Sequence, residues 1–281
     1  MKNYFILLLL LILIIFISGC ITTQPQKVSN FGLSLILAAN TKQVKQNAPT
    51  TFILTVKNLA SEPAKDISAH LTNLTGWRIE NELQQLQELQ PSDLYKFSWI
   101  AYAPPQNKTF VSVANVFYSM ETKSTLKIRI YDNEYVESLK QDEREKIKSK
   151  PALLSSVTSK KTPVSLQVSL QQPFILTQYS QRFPFTIEIK NVGLGKVYSD
   201  TSTYPPQSNK ENYVRFNYES NASLMCDFDK NDLIKLENDS KGIVCRILAT
   251  KDEIENFTEF EVNFTLDYYY LDKSYFKIDV V

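Results

Sequence analysis

Apolar and polar residues alternate along most of this chain, and alternation with a period of two predicts strands. In residues 52–56 the apolar positions are Phe52, Leu54 and Val56, which would share one face of a strand. Residues 185–189 show the same alternation. Phenylalanine and tyrosine, both typical of pleated and half-buried surfaces, number 16 and 15. The pattern therefore predicts an all-β protein.

Two pairs of segments resemble each other, which predicts two copies of one module. FILTVKNL at residues 52–59 matches FTIEIKNV at residues 185–192. Residues 110–130 align with residues 260–280 at a constant offset, and each of these two segments is expected to form a closing hairpin around a polar turn. The repeat therefore predicts two tandem Ig-like β-sandwich domains after an N-terminal segment.

Composition shifts along the chain give the predicted boundaries. The segments are a leader at residues 1–20, a tether at 21–30, a first sandwich at 31–132, a charged linker at 133–162 and a second sandwich at 163–281. The tether is polar and lacks a hydrophobic period, so little apolar surface would offset its ordering. The linker is expected to form either a short exposed helix or a flexible spacer.

The first module holds seven strand candidates separated by turn signals. They lie at residues 33–40, 50–58, 65–73, 77–81, 93–102, 109–119 and 123–131. The stretch LQQLQELQ, residues 83–90, offers a helical turn over one edge as an alternative to a strand. Trp77 and Trp99 are expected to anchor the core of this sandwich.

Several short motifs in the first module carry a family resemblance. They are EPAKDISAHL at residues 62–71, TGW at 75–77 and LQPSDLYKFSW at 89–99. With the preceding strand, which ends in Val-Lys-Asn, they resemble CARDB and NEW3-like domains, Ig-like sandwiches of archaeal and bacterial surface proteins. Asn191-Val192-Gly193 fits the family's pattern in the second copy, whereas Ser92 stands where the family has glycine. The resemblance implies adhesion, spacing or ligand presentation and transfers no catalytic residues.

The leader has the features of an export signal. Lys2 precedes an unbroken apolar run from Phe5 to Ile17, which is shorter than the roughly 20 residues that a membrane helix needs. Ile17-Ser18-Gly19-Cys20 resembles the lipobox of prokaryotic lipoproteins, which implies cleavage before Cys20 and lipidation of its thiol. The alternatives are an ordinary signal peptide and an uncleaved, short membrane helix. We therefore expect an extracytoplasmic protein anchored to the cell membrane, archaeal by its resemblance.

The two remaining cysteines, Cys226 and Cys245, form an even pair. In an oxidising compartment a disulfide is the natural interpretation, and two buried free thiols are the alternative.

Residues that could carry catalysis or hold a cofactor are scarce. The chain has one histidine, His70, six glycines and a formal net charge of +1. This composition excludes a site of several histidines and gives no field that favours nucleic acid. Asp227, Asp229 and Asn231 have the spacing of a calcium loop but lack its later glycine and glutamate, so a solvated loop is the competing interpretation. We expect no enzyme activity and no cofactor.

Two surface features remain. In DYYYLDKSYF, Tyr268 and Tyr270 would share one strand face and Tyr269 the other, either as core packing or as a stacking patch for a sugar or a protein. Six sequons fit N-glycosylation and equally fit an Asn- and Thr-rich composition. Their asparagines are Asn73, Asn107, Asn221, Asn238, Asn256 and Asn263.

Together these features predict a membrane-anchored lipoprotein with a non-catalytic role in adhesion, scaffolding or envelope structure. The alternative is a solute- or glycan-binding accessory module that serves a transporter or a secreted enzyme. The expected partners are the membrane and an unidentified surface protein or glycan, with no nucleic acid.

Overall fold

The structure is a computed structural model that describes residues 29–170, 172–199 and 204–281. Most of these residues lie in strands, which confirms the all-β prediction. The strands are β1 (Leu33–Ala39), β2 (Gln43–Val44), β3 (Pro49–Asn58), β4 (Ala64–Thr72), β5 (Arg78–Ile79), β6 (Leu83–Leu89), β7 (Leu94–Tyr102), β8 (Lys108–Asp132), β9 (Leu153–Thr158), β10 (Val164–Ser169), β11 (Phe174–Leu176), β12 (Ser180–Asn191), β13 (Lys196–Tyr198), β14 (Tyr213–Ser220), β15 (Ser223–Cys226), β16 (Asp232–Lys235), β17 (Ser240–Thr250) and β18 (Phe257–Val280).

In the part of the chain that the structure describes, helical structure is limited to short pieces. Two helices, α1 (Asn133–Ser138) and α2 (Gln141–Lys148), lie between β8 and β9. The carboxylate of Asp132 caps α1 by accepting a hydrogen bond from the Tyr135 amide at 3.1 Å. Thus the linker contains the short helix that was one of its two expected forms. Two single 3-10 turns occur elsewhere, at Ser208–Lys210 and Lys251–Glu253.

The strands of the described residues form three sheets. The first small sheet has the order β1-β3-β7-β5, and the second small sheet has the order β10-β12-β17-β15. The large sheet has ten strands along the path β16-β14-β18-β8-β4-β6, with four short strands off this path. The repeated segments 52–59 and 185–192 fall in β3 and β12, which hold the same second position in their sheets. The sheet order therefore supports the predicted repeat.

The large sheet is built around two long strands. β8 has 25 residues and β18 has 24, and they pair antiparallel from Lys108↔Val280 to Tyr131↔Phe257 without a break. The predicted hairpins within residues 110–130 and 260–280 are therefore wrong. The polar residues around Glu121 suggested a turn, but the alternation of buried and outward positions continues through them, with Thr122 buried.

Each small sheet packs on one half of the large sheet. In the first sandwich Phe52 contacts Phe276 edge-on at 6.4 Å between ring centroids, and Ser274 Oγ accepts a hydrogen bond from the Leu37 amide at 2.9 Å. In the second sandwich Phe185 contacts Phe264 at 6.3 Å. Residues 274 and 276 belong to the second repeat by sequence. The end of β18 therefore completes the first sandwich.

The exchange is reciprocal, because the end of β8 enters the second sandwich. There the Thr122 hydroxyl donates to the Val164 carbonyl oxygen at 2.7 Å, and β9 and β11 pair with β8 beyond this point. Whether residues 31–132 and 163–281 are separate domains with these bounds stays a prediction.

The repeat and the pairing together define a local pseudo-twofold axis. Residues of β8 correspond to residues of β18 at an offset of 150, so Ser119 corresponds to Tyr269. These two residues are also paired with each other across the ladder. The axis therefore passes through the Ser119–Tyr269 pair, and the two sandwiches lie on either side of it.

The predicted disulfide is present. Cys226 on the edge strand β15 is bonded to Cys245, its direct cross-strand partner on β17, with the two Cα atoms 3.9 Å apart. Cys245 is completely buried, so the bond ties an edge strand to the core of the second sandwich.

Two further predictions for the first sandwich have opposite outcomes. Trp77 and Trp99 are both in the core, as predicted, and the Trp99 indole donates to the Glu82 carbonyl oxygen at 3.1 Å. Residues 83–90 do not form the alternative helical turn, because residues 83–89 form the edge strand β6 paired with β4. Most of its side chains lie outward at an exposed edge, where polar residues meet no burial cost.

No helix among the described residues is long and apolar enough to cross a membrane. The predicted signal at residues 1–20, its lipobox cysteine Cys20 and most of the predicted tether lie outside the described residues.

The shared ladder predicts that both sandwiches unfold together. Ile187 is completely buried in the second sandwich, whereas both tryptophans lie in the first. Replacing Ile187 with Ala should cost about 2–5 kcal/mol through lost burial and the cavity left behind. We expect the denaturant midpoint read by tryptophan fluorescence to fall, although the change is in the other sandwich.

Glu188→Ala is the matched control, because Glu188 is the exposed neighbour on the same strand. It should leave the fluorescence midpoint within about 0.5 kcal/mol of the wild type. The alternative is that the two sandwiches are independent domains. In that case the fluorescence midpoint of Ile187→Ala would equal that of the wild type, and circular dichroism would show a second transition at lower denaturant.

Candidate functional site

A cavity of about 190 Å³ opens on the face of the large sheet that points away from the two small sheets. It lies on the pseudo-twofold axis, where the long strands pass from one sandwich to the other. The cavity is lined by Pro63, Lys65, Ser119, Met120, Glu121, Arg215, Asp267, Tyr268 and Tyr269.

Strand register places the polar groups of the cavity. Glu121 on β8 is paired with Asp267 on β18, and Lys65 on β4 is paired with Ser119. Arg215 on β14 is paired with Asp267 from the other side. These positions share one face because alternate residues of a strand point the same way. Four neighbouring strands therefore direct their polar side chains into the same space.

Glu121 lies within a group of opposite charges. Its carboxylate is 2.7 Å from Lys123 Nζ and 3.7 Å from Lys65 Nζ. The hydrogen bond from Lys123, with the charges of both lysines, holds the pKa of Glu121 below its usual range. The same hydrogen bond raises the pKa of Lys123. Glu121 is therefore ionised and already paired within the protein.

Asp267 differs from Glu121 in having no direct partner. The side chain is half-buried, and no described residue hydrogen-bonds to its carboxylate or forms an ion pair with it. Burial, and then the charge of Glu121, raise its pKa, while Arg215, Lys123 and Lys65 act in the opposite direction. Its oxygens are not among the fully buried polar atoms that lack a partner, so water or a bound ligand can reach them and supply hydrogen-bond donors.

An aromatic group borders the cavity. The ring of Tyr269 is stacked on Phe117 at 5.2 Å between centroids and 11° between planes. Tyr198 and Tyr204 pack against Phe117 at 6.0 and 6.4 Å, and His70 contacts Tyr204 edge-on. Phe117 therefore fixes the orientation of the Tyr269 ring at the wall of the cavity.

The predicted division of the three tyrosines is confirmed. Tyr268 and Tyr270 point into the core, where Tyr268 OH lies 3.0 Å from Thr122 Oγ1 and Tyr270 OH donates to Asn191 Oδ1 at 3.2 Å. Burial raises the pKa of both phenols. Tyr269 lies on the opposite face.

Other residues considered from the sequence are not brought into this cavity. His70 lies on β4 with its Nε2 atom 3.6 Å from Glu82. Both oxygens of Asp227 accept hydrogen bonds within the protein, from the Val244 amide and from Arg246, each at 3.1 Å. The Asp227 carboxylate is thus already hydrogen-bonded to residues of the neighbouring strand β17. The described residues contain no group of three or more side chains that could hold a metal ion.

The six sequon asparagines differ in accessibility. Five are exposed, whereas Asn263 is half-buried and accepts a hydrogen bond from Thr125 at 2.6 Å. Glycosylation at Asn73, Asn107, Asn221, Asn238, Asn256 and Asn263 stays a prediction, as does lipidation of Cys20.

Sequence reasoning separated Tyr269 from Tyr268 and Tyr270 but left open which face is core, and it missed the polar residues of the cavity. Lys65, Glu121, Arg215 and Asp267 are far apart in sequence and come from four strands. The only hint of the cavity in the sequence was the presence of charged residues at outward positions of the two longest alternating segments. Such residues are equally typical of a strand face that is exposed to solvent.

Comparison with known proteins adds no family to this geometry. No protein-family model matches the chain, and no curated protein matches it. Among solved structures, a collagen adhesin from S. aureus is 7% identical, with 87% of this chain and 88% of that chain covered and a TM-score of 0.13. A likeness at that TM-score carries no argument about fold or function.

A second unusual carboxylate lies behind the cavity, on the core side of β18. Asp272 is 7% exposed, and its carboxylate accepts a hydrogen bond from the Lys273 amide at 2.8 Å. Burial raises its pKa from 3.8 to about 6. The pKa of Asp272 is higher in the folded protein than in the unfolded chain. The protein therefore loses stability as pH rises from about 4 to about 6, and above that range the destabilisation by the ionised carboxylate is complete.

We expect Asp272→Asn to raise the free energy of unfolding at pH 7.5 by up to about 3 kcal/mol, which corresponds to the rise of the Asp272 pKa from 3.8 to about 6. The gain should shrink steadily below pH 6 and be small at pH 4, where the wild-type carboxyl is neutral in the fold. Denaturant titrations at several pH values measure this.

Asp279→Asn is the control, since Asp279 lies on the same strand but only half-buried, with the Thr109 hydroxyl donating to it at 2.6 Å. It should show no comparable gain at pH 7.5. If the change in unfolding free energy caused by Asp272→Asn did not vary with pH, the pKa of the Asp272 carboxyl would not be raised in the folded protein.

Proposed function

We propose that this protein is a non-catalytic, membrane-anchored scaffold on the extracytoplasmic side of the cell membrane. The observation that carries the proposal is the unbroken pairing of β8 with β18 through both sandwiches. At about 3.3 Å per residue, a strand of 25 residues spans about 80 Å, with no hinge along it. A body of this kind is suited to holding a surface in a fixed orientation at a distance from its anchor.

The anchor is proposed from the sequence. The apolar leader and Ile17-Ser18-Gly19-Cys20 fit a prokaryotic lipoprotein signal, and a double lipid chain on Cys20 would hold the protein stably. The disulfide between Cys226 and Cys245 supports this location, because disulfides persist in oxidising compartments. The resemblance to CARDB-type domains of archaeal and bacterial surfaces fits the same role.

Intact-mass measurement of the membrane fraction tests the anchor. We expect the wild-type chain to begin at a lipid-modified Cys20, and we expect Cys20→Ala to lack the lipid and to leave the membrane fraction. Thr23→Ala, three residues after the cysteine, should behave as the wild type. An unmodified wild-type chain that still starts at Met1 would mean that the leader is an uncleaved membrane helix.

Distance measurement between spin labels tests the scaffold. Lys96 in the first small sheet and Lys190 in the second are both exposed, so cysteines there accept labels with little disturbance. We expect a single narrow distance distribution, because the ladder fixes both sheets. Labels at Lys57 and Lys96, within one sheet, give the reference width. A distribution much broader than this reference would show that the sandwiches move independently and would contradict the scaffold.

A second candidate function is favoured by the cavity. The half-buried carboxylate of Asp267 has no hydrogen-bond partner within the described ranges and lies near the ordered ring of Tyr269, which suits a solute- or glycan-binding accessory module. In this role the protein presents a bound ligand to a transporter, a secreted enzyme or another surface protein.

A further inference from the structure

We propose that the cavity on the pseudo-twofold axis binds one neutral polyhydroxyl unit, a pyranose ring, whose hydroxyl groups donate to Asp267. The inference rests on the second candidate function and names its ligand class. It also assigns the site to residues that neither repeat supplies alone.

The first argument is that one accessible acceptor in the cavity is not occupied by any donor of the described residues. The Asp267 carboxylate has several lone pairs and no hydrogen-bond donor among the described residues, although its near neighbour Glu121 is paired with Lys123 and Lys65. A ligand with two adjacent hydroxyl groups supplies donors at the spacing of a carboxylate's two oxygens. Hydrogen bonds to an ionised acceptor are the stronger kind.

The second argument is the charge balance, which disfavours ionic ligands. Lys65, Lys123 and Arg215 surround the cavity with positive charge, and Glu121 and Asp267 bring negative charge. A cation would meet the three basic groups, and an anion would meet both carboxylates. A neutral ligand that carries donors and acceptors together satisfies both sets without a charge penalty.

The third argument is the aromatic wall and the size of the cavity. Tyr269 lines the cavity, and Phe117 stacked on its ring restricts its rotation. Such an oriented ring offers an apolar surface to the C–H face of a sugar. A volume of about 190 Å³ corresponds to roughly six waters, which one pyranose ring would displace. A longer chain would extend from the opening rather than lie inside.

Calorimetric titration of the full-length protein in detergent tests the inference. The probes are methyl α-D-glucopyranoside, methyl α-D-mannopyranoside and methyl α-D-galactopyranoside, with putrescine and inorganic phosphate as charged probes. For a ligand of this size we expect a Kd on the order of 1 mM for at least one pyranoside. Neither charged probe should bind at that strength.

Variants then locate the site. Asp267→Asn keeps the shape but removes the charge, and it should weaken pyranoside binding by about 10-fold or more. Tyr269→Leu removes the ring and should weaken binding independently of charge. Glu261→Gln is the matched control, because Glu261 lies on the same strand and the same face but outside the cavity. It should bind as the wild type does, and circular dichroism checks that each variant is folded.

Three outcomes overturn the inference, and a fourth bears on the anchor alone. Binding of a charged probe instead of a pyranoside contradicts the ligand class, and pyranoside binding that survives both Asp267→Asn and Tyr269→Leu contradicts the site. A wild-type chain that binds none of the pyranosides, yet carries lipid on Cys20, refutes this inference and leaves the scaffold proposal standing. A chain that binds a pyranoside and lacks the lipid refutes the anchor instead.

Discussion

The backbone ladder between β8 and β18 is the interaction on which the rest of the structure depends. The inward-facing side chains of its two strands contribute to the cores of both sandwiches. Each small sheet therefore packs on a surface that exists only because β8 and β18 are paired. The flanking strands of the large sheet, β4 and β14, pair with its two edges. Loss of the ladder would leave each small sheet with an uncovered apolar face, since a single sheet cannot bury itself.

The ladder also explains why unusual polar groups meet at the middle of the protein. Near the Ser119–Tyr269 pair the large sheet passes from one small sheet to the other. Buried Asp272 and the phenols of Tyr118 and Tyr270 lie on the core side of this region. Asp267 and Glu121 line the cavity on the other side. A cavity that gathers charged side chains at a pseudo-symmetry axis, in front of a buried carboxylate, is where a binding function is physically reasonable.

Much of the fold could be predicted because strand alternation is local. Phe52 and Phe185, each at the head of an alternating repeat, identified β3 and β12, and the buried tryptophans and the disulfide followed from residue type. The candidate site could be predicted only in part. Alternation placed Tyr269 on the face opposite to Tyr268 and Tyr270, but which face points outward, and which residues lie beside Tyr269, depend on the neighbouring strands.

The sequence by itself determined the all-β class, the repeat and the alternation of faces, and it favoured the pairing of Cys226 with Cys245 over two free thiols. Only the tertiary structure decided that residues 110–130 run straight on as one strand and pair with residues 260–280. The reason is physical: Glu121 and Lys123 suit the outward side of a strand as well as they suit a turn. Local preference does not separate the two, whereas burial of Thr122 and its neighbours under a second sheet does.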